Sequence, residues 1–123
     1  MNQASRRILL VEDHADTARA MARLLNLSGY IVHTANTCAA ARQICEQERF
    51  DLVISDVGLP DGTGYELMRQ MLAKDCVPKG IAVSGYGTEQ DVKESLTAGF
   101  SAHLVKPVQF DTLRDAIRQI IPE

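Results

Sequence analysis

The chain has 123 residues, of which 24% are charged and 46% apolar, and its 13 basic and 16 acidic side chains give a net charge of −3. That composition fits one globular domain over residues 1–123 with a buried core over about residues 6–121. The acidic balance argues against nucleic acid as a direct partner, because such binding rests on basic patches. No apolar run approaches the roughly 20 residues that span a bilayer, so no membrane contact is expected from this segment.

Arg6-Arg7 precede only Ile8-Leu9-Leu10-Val11, too short for a signal-peptide core, and that apolar run reads as a first strand ending at the acids Glu12-Asp13. From Ala15 to Leu27, Ala18, Met21, Ala22 and Leu25 recur at helical spacing, and Gly29 follows where a helix takes a left-handed residue. Ile31 to Ala35 is a second strand, and Thr37 can cap a helix through about Glu48 that buries Ala41, Ile44 and Cys45. Leu52-Val53-Ile54-Ser55 is a third strand with Asp56 at its end, followed by a loop forced by Gly58, Pro60 and Gly62.

Leu67, Met68, Met71 and Leu72 form one apolar face of a helix that runs to about Lys74. Ile81-Ala82-Val83 is a fourth strand stopping at Ser84-Gly85, and Thr88 caps a helix over Glu89–Ala98 that Gly99 ends. Ala102 to Val105 is a fifth strand before Lys106-Pro107, and a last helix from about Phe110 to Ile121 buries Leu113, Ile117 and Ile120. Of the three cysteines, Cys38 and Cys45 lie seven apart on one helix face and, like Cys76, show no CxxC spacing. They read as small core residues rather than redox or metal groups, which implies a reducing, cytoplasmic compartment.

Alternating strands and helices, with the strands buried on both faces, predict a mainly parallel, doubly wound α/β sheet in the order 2-1-3-4-5. In such a sheet the ligand crevice lies outside the carboxyl ends of the strands, where the order reverses between strands 1 and 3. Glu12, Asp13 and Asp56 converge there, with Ser84 and Lys106 on the adjoining strands. Three carboxylates repel one another unless a cation neutralises them, and an all-oxygen set suits Mg²⁺ rather than zinc. His14 reads as a solvated loop residue. A phosphoryl group on or near Asp56 would give Mg²⁺, Lys106 and Ser84 one oxygen each, which makes Asp56 a candidate nucleophile. Gly58 lets the loop backbone approach the metal.

With these residues in order, the chain resembles a receiver (response-regulator) domain of two-component signalling over essentially its whole length. The resemblance rests on Val11-Glu12-Asp13, the segment Asp56 to Tyr65, Ser84-Gly85 and Lys106-Pro107. It implies a flavodoxin-like (βα)5 sandwich and a phosphorelay in which Asp56 accepts a phosphoryl group from a partner phosphohistidine. It implies that Asp13, Asp56 and the Gly58 carbonyl ligate Mg²⁺, with Glu12 acting mainly through a water, and that Ser84 and Lys106 hold phosphoryl oxygens. The implied partner is a histidine kinase or a histidine phosphotransfer domain. The domain would accelerate its own phosphorylation and dephosphorylation without being a turnover enzyme. A cis peptide is expected at Lys106-Pro107, since X-Pro bonds are where cis is tolerated.

Departures from the family pattern set further expectations. The family's switch residue, usually Tyr or Phe, is His103, which can rotate inward behind Ser84 or stay exposed without switching. Tyr86 and Gly58 occupy positions that tune the lifetime of the aspartyl phosphate. Ser101-Ala102 replace the acidic pair that one group of transcription-factor receivers uses to dimerise, so a monomer or weak dimer is expected. The segments Ala98 to Val108 and Ser84 to Gly87 more resemble receivers of hybrid sensor histidine kinases, which favours such a receiver, or a stand-alone one, over a transcription factor. The rival readings are a pseudo-receiver that only binds partners, an Asp-nucleophile phosphatase and a flavodoxin-like cofactor binder. The phosphatase would need a DxD pattern after strand 1, and the cofactor binder a phosphate-cradling loop where Glu12-Asp13 would repel phosphate.

Overall fold

The computed structural model describes residues 5–122. Along the chain run β1 (Arg7–Val11), α1 (Ala15–Leu27), β2 (Ile31–Ala35), α2 (Cys38–Gln47) and β3 (Leu52–Asp56). The short strands β4 (Gly58–Leu59) and β5 (Gly62–Thr63) come next, then α3 (Gly64–Ala73), β6 (Gly80–Ser84), α4 (Glu89–Ala98), β7 (Ala102–Val105) and α5 (Phe110–Ile120). The main sheet is parallel with order β2-β1-β3-β6-β7, the predicted 2-1-3-4-5 once the small β4-β5 pair is set aside.

Alternation along the strands sends side chains to two separate cores. Leu9, Val11 and Val53 join Met68, Met71, Ala98 and Phe100, between the sheet and α2, α3 and α4. Ile8, Leu10, Leu52 and Ile54 join Leu25, Leu113 and Ile117, beneath α1 and α5. Each fully buried aliphatic side chain contributes about 1.5–3 kcal/mol, so β1, β3 and β6, which supply most of them, anchor the sheet. This rigid centre is what fixes the strand ends that form the site. The edge strands β2 and β7 are half-exposed, which corrects the expectation that every strand is covered on both faces.

Local signals set the element ends. The Thr37 hydroxyl accepts from the Ala40 N–H, and Thr88 and Asp91 form a reciprocal capping box on α4. Gly99 ends α4 at φ 111°, a region open to glycine, and a Cβ there would also run into Leu72. Leu72 itself is partly exposed rather than core, because it lies at the rim where α3 meets α4.

Two features depart from the sequence reading. The loop after Asp56 pairs with itself, Gly58 opposite Thr63 and Leu59 opposite Gly62. Cys45 and Cys76 form a disulfide, with Cα atoms 5.6 Å apart. The reading of Cys45 as a small core residue rather than a redox group is therefore corrected, and the inference of a reducing compartment from cysteine usage loses its basis. Helical spacing relates Cys45 only to its own helix and says nothing about the segment after α3 that approaches its end. Cys38 does behave as a buried core thiol, and burial together with Asp61 pushes it up to about 11.

Candidate functional site

The ends of β1, β3, β6 and β7 meet at one edge of the sheet. Register places Val11 beside Ser55, Asp56 beside Val83 and Ser84 beside Val105. The Val57 N–H donates to the Val83 carbonyl and the Lys106 N–H to the Ser84 carbonyl, so the ladder continues one step past each functional residue. The Lys106-Pro107 peptide is cis, as expected. Gly64, the first residue of α3, sits so close to the Asp56 carbonyl that a Cβ would collide with it, which lets α3 start directly behind the acid.

Asp56 is 4% exposed, and Glu12 is also buried. Lys106 Nζ stands 2.8 Å from Asp56 Oδ1 and 3.5 Å from Glu12 Oε1. Burial and the Glu12 carboxylate push Asp56 up to about 7, against the opposing pull of Lys106. Burial also works against charge on Glu12, but bonding to Asp56 and to His14, with the Lys106 charge, outweighs it and brings Glu12 down to about 2. Of the two neighbouring acids, Asp56 is the one whose charge the site disfavours. Lys106 loses some charge stability to burial, yet Asp56 and Glu12 hold it above the usual lysine range.

Asp13 and His14 lie at the rim. Ligand atoms of Glu12, Asp13 and His14 come within 4.8 Å of one another, and His14 Nδ1 is 3.2 Å from Glu12 and 3.3 Å from Asp13. Asp56 Oδ2 is buried without a hydrogen-bond partner among the described residues. The close cluster is thus Glu12, Asp13 and His14 rather than the expected three carboxylates with Asp56. An orphaned Asp56 oxygen near Glu12, with Asp13 next in the chain, still offers the oxygen donors a hard divalent cation takes, so these residues fit Mg²⁺. Gly58 lies in β4 next to this oxygen set in sequence, with open space where its side chain would be.

Ser84 and His103 are joined directly. His103 Nε2 is 2.9 Å from Ser84 Oγ and 2.9 Å from the Tyr86 carbonyl, while His103 Nδ1 is 2.5 Å from Ser95 Oγ. Of the two positions open to His103, the structure has the inward one. Tyr86 meets Ser84 and His103 through its backbone, and the residue is 75% exposed. Ser95 went unnoticed in the sequence, because a serine on a helix reads as a surface residue until its partner on a neighbouring strand is known. Asp61 was also missed. Its carboxylate accepts from the Cys38 and Ala39 N–H groups at 2.8 and 3.0 Å, tying the β4-β5 hairpin to the start of α2. The site opens into a cleft of about 500 Å³ lined by Glu12, His14, Thr17, Met21, Lys106 and Pro107.

A buried acid paired to a lysine at the switch point of a doubly wound sheet defines the class of phosphoacceptor domains. The response regulator receiver domain family matches residues 8–118, and the chain belongs to that family. It is a phosphoacceptor receiver domain of two-component systems. Sporulation initiation phosphotransferase F of Bacillus subtilis is 30% identical over 116 residues, covering 94% of each protein. The sensor histidine kinase RcsC of Salmonella typhimurium is 29% identical over 110 residues, which are 89% of this chain and 12% of that protein. A CheY-like receiver domain from Methanospirillum hungatei JF-1 superposes with a TM-score of 0.86 at 32% identity, covering 94% of this chain and 93% of that one. Receiver domains bind a divalent metal in their acidic pocket and interact with histidine kinases or phosphotransfer proteins. Among the described residues, no helix is long and apolar enough to cross a membrane.

Proposed function

We propose that Asp56 is the phosphoacceptor, that Mg²⁺ is the metal, and that the donor is a phosphohistidine on a histidine kinase or histidine phosphotransfer domain. The observation that carries this reading is the state of Asp56: Oδ1 is held by Lys106 at 2.8 Å while Oδ2 stays buried without a hydrogen-bond partner. A carboxylate oxygen of Asp56 attacks phosphorus, the phosphorus–oxygen bond forms as the phosphorus–nitrogen bond breaks, and the leaving imidazole keeps the electron pair and takes up a proton. Glu12, Asp13 and Asp56, with the Gly58 carbonyl, would hold Mg²⁺, which when bound supplies charge neutralisation for phosphoryl oxygens.

Lys106 performs two tasks in turn. Its ammonium lowers the cost of charge on Asp56 before transfer, and afterwards binds a phosphoryl oxygen. Ser84 donates its hydroxyl to another oxygen once it leaves the Tyr86 carbonyl. The cleft beside Lys106 and Thr17 has room for the partner's imidazole. Similarity to a free-standing phosphotransferase and to part of a sensor kinase supports a relay role, stand-alone or within a hybrid kinase.

The test is incubation with acetyl phosphate and Mg²⁺ followed by intact-protein mass spectrometry. Wild type is expected to gain one hydroxylamine-labile phosphoryl group, and Asp56→Asn none. A phosphorylated Asp56→Asn protein, or a wild type that neither labels nor binds beryllofluoride, would overturn the assignment and favour a pseudo-receiver.

A further inference from the structure

Ser95 is fully buried on α4, and its carbonyl accepts the N–H groups of Gly99 and Phe100, which fixes its backbone. Its hydroxyl points at His103 Nδ1, 2.5 Å away. Across the ring, His103 Nε2 faces the Tyr86 carbonyl and Ser84 Oγ, both at 2.9 Å. Ser84 closes the circuit, donating to the Tyr86 carbonyl at 2.5 Å and accepting from the Tyr86 N–H at 3.2 Å.

Donor and acceptor counting assigns the hydrogens. A carbonyl only accepts, so His103 Nε2 carries a hydrogen; in the neutral ring Nδ1 is then an acceptor, and Ser95 must donate to it. The opposite tautomer would aim a lone pair at the Tyr86 carbonyl and would draw the Ser84 hydroxyl hydrogen to itself.

We propose that Ser95 is a positioning residue for phosphoryl binding, which fixes His103 in the Nε2–H tautomer and thereby frees Ser84 to turn toward Asp56. The proposal rests on the roles of Asp56 and Ser84 given above. When Ser84 swings to a phosphoryl oxygen, the Tyr86 carbonyl loses the hydroxyl but keeps the His103 Nε2–H. Keeping one donor on that carbonyl lowers the cost of giving up the other. With Ser95 on α4 and His103 on β7, the phosphoryl state of Asp56 is tied to helix α4 through two hydrogen bonds.

The test combines ¹⁵N NMR of the His103 ring with titration of beryllofluoride and Mg²⁺ into the whole chain. Wild type is expected to show the Nε2–H tautomer before and after binding. Ser95→Ala should lose that preference and bind beryllofluoride about three- to tenfold more weakly, the size of one hydrogen bond; Ser95→Thr, which keeps the hydroxyl, should restore both. In a His103→Phe background, Ser95→Ala should cost nothing further. A wild-type Nδ1–H tautomer overturns the proposal with no variant needed. So does unchanged affinity in Ser95→Ala, or an equal loss in the His103→Phe background. Failure of wild type to bind beryllofluoride, or binding by Asp56→Asn, instead overturns the assignment of Asp56.

Discussion

Lys106 Nζ and Asp56 Oδ1 are 2.8 Å apart, and Glu12 Oε1 lies 3.5 Å from the same ammonium. The lysine thus occupies the electrostatic position that a divalent cation would share. Removing it should make the acidic site a better cation site and a poorer phosphoryl site. Lys106→Ala is expected to bind Mg²⁺ about tenfold more tightly, since a unit charge and a divalent cation some 6 Å apart at an effective dielectric near 20 repel by roughly 5–6 kcal/mol before solvent and salt screening, which removes most of it. The same variant should hold beryllofluoride more weakly. Calorimetric titration of both ligands checks the pair of signs, and tighter binding of both would contradict the role given to Lys106.

Asp56 gives the domain a pH dependence opposite to that of most carboxylates. Its folded value of about 7 lies above the ordinary 3.8, so the folded state holds a proton that the unfolded chain releases. The stability from that proton is full below pH 4 and is lost as pH rises toward 7. Between pH 5 and pH 8, without divalent metal, wild type should lose up to about 2–3 kcal/mol that Asp56→Asn retains. Urea unfolding of both proteins at the two pH values measures the difference. Parallel curves would mean that Asp56 is already ionised at pH 5.

Tyr86 and Gly58 separate as tuning positions. Tyr86 is 75% exposed, so Tyr86→Ala should change the dephosphorylation rate by less than about twofold and stability by less than about 0.5 kcal/mol. A Cβ at Gly58 meets nothing within 4 Å, so the first atom of the Gly58→Asn side chain enters open space. Its amide can orient a water beside Asp56, and a several-fold faster loss of phosphate is expected. Phosphate release assays on the labelled proteins decide both, and a large Tyr86 effect with a silent Gly58 would reverse the assignment.

Asp61 links the hairpin to α2 through the Cys38 and Ala39 N–H groups, and these bonds keep its carboxyl below the ordinary range. A lowered acid stabilises above its unfolded value and stops doing so as pH falls through its folded one. Asp61→Ala should therefore lower Tm by about 2–5 °C at neutral pH, with the difference closing at acid pH. Thermal melts by circular dichroism across pH test the convergence.

Much of this arrangement was legible along the chain. Thr37, Thr88, Gly29 and Gly99 punctuate helices by local chemistry alone, and the α1, β2, α4 and β7 boundaries follow from such signals. Glu12, Asp13, Asp56, Ser84 and Lys106 could be grouped because each follows an apolar run, and sheet order does the rest. Features made by meetings between distant elements stayed hidden. Ser95 against His103, Asp61 against α2 and Cys45 against Cys76 each join residues whose own segments carry no sign of the partner. The exposure of β2 and β7 likewise depends on their being edges, which periodicity within a five-residue run does not encode.

The Cys45–Cys76 bond encloses residues 46–75, and with them β3, the hairpin and α3. Topologically, the segment bearing Asp56 is a closed ring inserted in a linear chain. A single protease cut anywhere within that ring would leave the polypeptide in one covalent piece on a non-reducing gel and in two pieces after thiol treatment. Asp56 would thus keep its neighbours tethered after a backbone break beside it.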